Sequence, residues 1–226
     1  MPFSLSQVIP WGRNFSEYRA MFALSSADLV TRMLGCGDGP ASFNAEGTEQ
    51  GCQIVSVDPI YQFSGAEISS RIAQAAPSIA EQTRRNSADF NWSHFRSVDD
   101  LIAARMAAMS RFLVDYALPD ATERYVAAHL PDLPFPDKTF DLALCSHFLF
   151  LYSEQFDAAF HVQALLELAR TAAEVRVFPL LELGSQPSRH LPAVVDALRA
   201  QGLAVERVRV DYEFQKGANE MLRISG

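Results

Sequence analysis

The sequence predicts an α/β fold: a mostly parallel seven-stranded sheet with helices on both faces, an antiparallel C-terminal hairpin, and a helical insertion between strands two and three. Three observations predict it. Met33-Leu34-Gly35-Cys36-Gly37-Asp38-Gly39-Pro40, followed by Ile54-Val55-Ser56-Val57-Asp58, reads as a buried strand, a glycine loop, a helix and a second buried strand ending in an acid. From Arg124 onward, short apolar runs alternate with helical patterns. Ala204–Phe214 and Ala218–Ile224 are β-rich runs separated by Gln215-Lys216-Gly217, a short turn containing glycine.

Taken in order, residues 1–29 form an N-terminal helical segment. Within it Tyr18, Met21, Phe22 and Leu24 recur at helical spacing, and Ser16 is the expected N-cap. Strand one runs to about Leu34, and Pro40 suits the first turn of the next helix, where its missing N–H has no partner waiting. Strand two covers Gln53–Val57. Residues 65–122 carry more helix than one crossover needs: a first helix from about Ala66 interrupted at Pro77, an aromatic stretch Phe90–Phe95, and a second helix. Ser97 caps that second helix, Asp99 and Asp100 sit in its first turn, and Ile102, Met106, Met109, Leu113 and Tyr116 form its apolar stripe. The block reads as an insertion or lid within a single domain, 1–226. Strands three (Arg124–Ala128), four (Phe140–Ser146) and five (Glu174–Phe178) follow, with helices over Glu154–Thr171 and Pro192–Gln201.

Composition narrows the function. With 226 residues, 49% of them hydrophobic, the chain can bury one full α/β core. The excess of 27 acidic over 19 basic residues, net −8, argues against general affinity for phosphate backbones, and Arg84, Arg85, Arg96 and Arg105 are expected to be solvated. The start Met1-Pro2-Phe3-Ser4 has no basic n-region, and no apolar run is long enough to span a bilayer, so a soluble, unexported, cytoplasmic protein without membrane partners is expected. Cys36, Cys52 and Cys145 make neither a disulfide framework nor a zinc pattern; His94, His161 and His190 lack metal-ligand spacing, and no metal is expected.

The glycine loop allows positive φ or close approach of a ligand to backbone, and an acid ending strand two sits where ribose hydroxyls are held in doubly wound folds. A nucleoside-type cofactor follows. A dinucleotide loop needs G-x-G-x-x-G/A, but counting from Gly35 puts Pro40 in the last position. Gly35, Gly37 and Gly39 instead give G-x-G-x-G. With Asp58, that loop resembles motif I and its acidic partner in class I S-adenosylmethionine-dependent methyltransferases, a Rossmann-like superfamily. Leu133–His147 resembles the LPF-x-x-x-x-FD run leading into strand four of the same superfamily. The likeness covers roughly residues 30–64 and 123–226. More narrowly, Pro10-Trp11-Gly12-Arg13, Glu17-Tyr18, the glycine loop and Tyr212–Gly217 resemble an uncharacterised bacterial methyltransferase-like family.

The resemblance implies S-adenosylmethionine as cofactor, with S-adenosylhomocysteine as product. It implies that Gly35, Cys36, Gly37, Asp38 and Gly39 approach the amino-acid part, that Asp58 takes the ribose diol, and that Pro59, Ile60, His129, Leu130 and Ser146 complete the cofactor side. Two positions depart from its pattern: Met33 stands where an acid usually precedes the first glycine, and His129 where an acid usually caps the adenine amine; Asp38 or Asp132 could compensate. Methyl transfer from a sulfonium needs alignment and exclusion of water more than side-chain chemistry. If the acceptor must lose a proton, His147 is the best-placed base, with Tyr152 behind it.

Cys145-Ser146-His147-Phe148 stands where many nucleic-acid amino-methyltransferases carry an acid or asparagine, paired prolines and an aromatic. A small or medium-sized acceptor, a small molecule or a protein side chain, is therefore expected and nucleic acid is not; nothing in the pattern selects an oligomeric state. Either Trp11, Arg13 and Tyr18 form a lid over the sulfonium, or Trp11 and Tyr18 anchor the first helix. Phe90, Trp92, Phe95, Met106 and Met109 form either an acceptor wall or ordinary packing. Two rivals remain: a non-catalytic binding or partner protein, motivated by Met33 and His129, and a nicotinamide oxidoreductase, disfavoured by Pro40 and the terminal hairpin.

Overall fold

The computed structural model describes residues 9–226. The Met1–Ser4 start and the first eight residues of the expected N-terminal segment lie outside the described residues. Strands β1 (Arg32–Cys36), β2 (Gln53–Val57), β3 (Tyr125–Val126), β4 (Phe140–Ser146), β5 (Ala172–Phe178), β6 (Ala204–Arg209) and β7 (Glu220–Ser225) make one sheet in the order β3-β2-β1-β4-β5-β7-β6. The first five strands run parallel, and β7 inserts antiparallel between β5 and β6. Strand order reverses at β1, between β2 and β4. In parallel sheets a crevice opens at such a switch point, beyond the carboxyl ends of the strands.

Pleat alternation decides which helix layer each strand residue meets. Leu34, Cys36, Ala143, Cys145, Val175 and Val177 pack against α6 (Ala158–Thr171) and α7 (Leu191–Ala200). Met33, Leu142 and Leu144 face the other way, toward α1 (Phe15–Met21) and α2 (Phe43–Glu49), where Tyr18 stacks on Phe43 at 4.1 Å. A third cluster joins α3 (Gly65–Arg85) and α4 (Val98–Tyr116) to Tyr61 and Tyr125 beside the β3 edge. Asp115 of α4 fastens this insertion by accepting from Arg124, at the end of α5 (Ala121–Arg124), and from the Tyr125 hydroxyl, at 2.6 and 2.7 Å.

Several local expectations are corrected. Asn14, not Ser16, caps α1, because Glu17 then sits at the third position and closes a capping box. Helix α3 runs through Pro77 unbroken: Pro77 and Ala73, whose carbonyl loses its donor, are both exposed, so water can replace the missing bond, while Ile68, Ile72 and Ile79 hold the buried face. Helix α4 starts after Ser97 as expected, but its most buried face is Leu101, Arg105, Ala108, Met109 and Phe112, one position round from the expected stripe. Strand β3 is two residues long, paired on one side only, and Arg124 belongs to the preceding helix.

The hairpin is also shorter than its β-rich sequence. After Arg209 the chain leaves the sheet, and Phe214–Lys216 pair instead with the insertion: Asn91 N–H donates to Phe214 O at 2.6 Å and Lys216 N–H to Asp89 O at 2.9 Å. Phe90 stacks on Phe214 at 4.7 Å. This contact brings a segment from the far edge of the sheet over the crevice. No helix among the described residues is long and apolar enough to cross a membrane.

Candidate functional site

A cavity of about 920 Å³ opens at the carboxyl ends of β1, β2 and β4. Of the residues expected on the cofactor side, Cys36, Gly37, Asp38, Asp58, Pro59, Ile60, His129, Leu130 and Ser146 line it, as do His147 and Tyr152; Gly35 and Gly39 do not.

The three glycines serve different ends. Gly37 has φ +69°, donates its N–H to Val57 O at 2.9 Å, and faces the cavity; a Cβ there would lie 3.0 Å from Phe148 Cβ. Gly35 serves Asp38 instead of a ligand, since a Cβ on it would sit 1.8 Å from the Asp38 carboxylate. Gly39 donates its N–H to Asp58 Oδ2 at 2.9 Å, tying the loop to the end of β2. Of the three glycines expected to approach the ligand, Gly37 lines the cavity, and Gly35 and Gly39 lie behind it.

Asp58 accepts from Ile60 N–H on its other oxygen at 2.8 Å. Each carboxylate oxygen holds one backbone donor and keeps lone-pair capacity for another. Burial outweighs those two bonds and raises its pKa to about 6. Asp38 folds back beneath the loop, where it accepts from the Tyr18 hydroxyl at 2.8 Å and the Ser56 hydroxyl at 2.7 Å. Desolvation raises it to about 7, partly offset by those bonds. Met33, in the position lacking the usual acid, is fully buried in the α1–α2 layer. Asp38 brings a carboxylate to this wall of the cavity, whereas Asp132 is exposed and does not line it.

His147 has φ +52°, unusual for a residue with a side chain, and its N–H donates to Phe178 O at 2.7 Å. Its ring shares a 2.9 Å hydrogen bond between Nδ1 and the Ser146 hydroxyl. Desolvation, then Arg13 and Arg105, hold its pKa well below the usual histidine range, so it is neutral at neutral pH. Tyr152 is buried, and burial raises its phenol. Cys36 lines the cavity as a protonated thiol, pushed well up by burial, while Cys145 lies in the core and is raised to about 12.

The upper wall holds what the sequence reading missed. Arg105, expected to be solvated, is 1% exposed: both its terminal nitrogens meet the Glu17 carboxylate, which also accepts from Tyr212 at 2.9 Å. Arg84, Arg85 and Arg96 are exposed as expected. Arg71, Ile79, Phe90 and Leu101 of the insertion line the cavity, with Phe148, Phe156, Phe160 and Phe214. Trp92, Phe95, Met106 and Met109 do not: Trp92 donates to Ser87 O, Phe95 stacks edge-on to Phe214, and the methionines pack in the α3–α4 cluster. Trp11 lines the cavity and packs against that same cluster. His161 is structural, with its Nδ1–H donating to Asp157 O at 2.7 Å and its Nε2 accepting from Phe150 N–H at 3.0 Å.

This chain is 33% identical over 224 residues to the "Uncharacterized protein MJ0045" of Methanocaldococcus jannaschii, an alignment covering 98% of this chain and 97% of the relative. It belongs to the family of that protein. That relative is archaeal. No protein-family model matches. Among solved structures, the methyltransferase domain of bacterial CtHen1-CN superposes with a TM-score of 0.51 at 12% identity, over 94% of this chain and all of that one (100%). The family thus has the Rossmann-like methyltransferase fold. Magnesium protoporphyrin IX methyltransferase (ChlM) from Synechocystis PCC 6803, with bound SAM, aligns at 12% identity and TM-score 0.48, over 93% of this chain and 76% of that one.

Proposed function

We propose that this protein is an S-adenosylmethionine-dependent methyltransferase acting on a small or medium-sized acceptor by direct in-line displacement. The observation that carries the reading is the shared cavity wall of Gly37, Asp58, Ser146 and His147 at the switch point of a methyltransferase-fold sheet. The residues fit the cofactor: Gly37 lines the cavity with no side chain, at φ +69°, and Asp58 keeps acceptor capacity for a hydroxyl pair. S-adenosylmethionine supplies a methyl group already activated on a sulfonium.

The chain supplies position and dryness. Asp58 holds the ribose, with Pro59, Ile60, His129 and Leu130 beside the base, and Gly37 approaches the amino-acid part. Asp38, Cys36 and Ser146 line the amino-acid end, while Gly35 and Gly39 shape the loop from behind. Residues 65–122, part of the same domain, roof the cavity as a lid and leave the acceptor an aromatic enclosure of Phe90, Phe148, Phe156 and Phe214. His147, neutral and facing the cavity, receives a proton at Nε2 when the acceptor must lose one and Nδ1–H donates to Ser146; Tyr152 stands behind it as a neutral hydroxyl. The acidic net charge and the Ser146-His147-Phe148 sequence after β4 favour an acceptor other than nucleic acid.

The test is thermal denaturation with S-adenosylhomocysteine and, separately, NAD. A ligand specific to the native state raises the melting temperature by mass action. S-adenosylhomocysteine is expected to raise it and NAD is not; no shift with saturating S-adenosylhomocysteine would remove the cofactor.

A further inference from the structure

One buried cation on the cavity wall, Arg13, has no ion-pair partner among the described residues. The Glu17 carboxylate is committed to Arg105 and Tyr212, while each oxygen of Asp38 accepts from one neutral hydroxyl, Tyr18 or Ser56, and keeps lone-pair capacity. Arg13 lies among these groups and lines the cavity. Its Nη1 donates to Trp11 O at 3.2 Å, while its buried Nε has no acceptor, and no carboxylate of the described residues comes within ion-pair distance. Burial, then repulsion from Arg105, lowers its pKa to about 10, which leaves it charged at neutral pH. An unpaired guanidinium out of water is costly, and its planar fork matches a carboxylate.

Its location selects which carboxylate. Arg13 O accepts from Ser42 N–H at 3.0 Å, and a Cβ on the neighbouring Gly12 would fall 2.0 Å from Pro40 O. The Arg13 backbone therefore lies against the end of the glycine loop, and its charge is felt at His147 beyond β4. Asp38 lines the same cavity, and Tyr18, bonded to Asp38, senses the charges of both Asp38 and Arg13. A cation and a carboxylate on the wall of one cavity, beside the same tyrosine, complement an α-amino-acid zwitterion.

We infer that Arg13 anchors the carboxylate of the cofactor's amino-acid tail, with Asp38 as the opposite pole for its ammonium group. The inference rests on the S-adenosylmethionine reading and assigns that ligand's charged end to side chains outside the glycine motif. It also gives the Trp11-Gly12-Arg13 segment a binding role.

The experiment compares two probes by calorimetry on the full chain: S-adenosylhomocysteine, and 5′-methylthioadenosine, which shares the nucleoside thioether but lacks the amino-acid tail. Arg13→Met is expected to weaken S-adenosylhomocysteine about ten- to hundredfold, the range for a lost charged hydrogen bond, while 5′-methylthioadenosine changes less than about twofold. Arg13→Lys, which keeps charge without the fork, should fall between. Equal losses for both probes, or no loss for either, overturn the inference and leave the cofactor reading standing. So does a wild-type protein that binds both probes equally tightly. A wild-type protein that binds neither overturns the cofactor reading and this inference together. Melting temperatures of the unliganded variants show whether each is folded, and Arg13→Lys supplies the comparison if Arg13→Met is not.

Discussion

The lower and upper walls of the cavity are built by opposite means. Below, Gly37, Gly39 and Asp58 act through backbone: a positive φ, N–H groups donated to a carboxylate, and strand ends within about twenty residues of each other. Above, Arg105 meets Glu17 across 88 residues of sequence, and Tyr212 meets the same carboxylate across 195. Changes to the lower wall should therefore show in ligand affinity, and changes to the upper wall in stability.

The largest expected effect breaks the upper wall. Arg105→Met strands the Glu17 carboxylate in a site only 6% exposed, and removing one partner of a buried pair costs about 3–5 kcal/mol. Denaturant unfolding followed by circular dichroism measures it. The double variant Glu17→Gln/Arg105→Met should recover much of the loss, because the Glu17 carboxylate is no longer stranded. If Arg105→Met lost less than about 1 kcal/mol, a figure typical of exposed pairs, α1 and the insertion would not be held by this contact.

Gly37→Val tests the lower wall. The side chain would need φ +69° and would crowd Phe148, which lines the same cavity. S-adenosylhomocysteine affinity should fall by about a hundredfold or more, equivalent to about 2.7 kcal/mol, with the circular dichroism spectrum retained. Asp58→Ala is milder, because Gly39 and Ile60 N–H groups lose their acceptor but the loop keeps its shape. Titration calorimetry should show affinity weakened by about 1.5–3 kcal/mol, and unchanged affinity would take Asp58 out of the ribose role.

The same contrast explains what the sequence disclosed. Strands β2 and β4 were legible residue for residue because a buried parallel strand is a local apolar run, and the G-x-G-x-G loop because its backbone demands glycine. The Asp38 fold-back was only half legible: the acid was visible, but its seat in the Cβ space of Gly35 is a tertiary fact. Arg105 looked like any surface arginine, since only its position on the buried face of α4 distinguishes it, and its partner lies on another element. Trp92 drew attention by size alone, although its N–H is used locally on Ser87. Gln215 and Phe214 read as a turn and a strand end; their pairing with Asp89–Asn91 needs the whole fold.

The smallest effect, and the one that isolates the lower wall most cleanly, is the dependence of affinity on pH. Asp58 titrates at about 6 in the unliganded protein because burial disfavours its charged form. A ribose diol donates to the carboxylate and so binds the deprotonated form, lowering that pKa in the complex. By linkage, affinity is flat above pH 6 and declines as pH falls through it, about tenfold between pH 7 and pH 5 for one such group. His147 does not contribute in this window, since it is already neutral with a pKa well below the usual range. Asp38, at about 7, adds a second, higher step if it meets the ligand's ammonium group. Asp58→Asn should therefore lower affinity at pH 7.5 and abolish the lower step while keeping the upper one. A variant with an unaltered pH profile would show that the lower step belongs to another group and that Asp58 stays protonation-silent on binding.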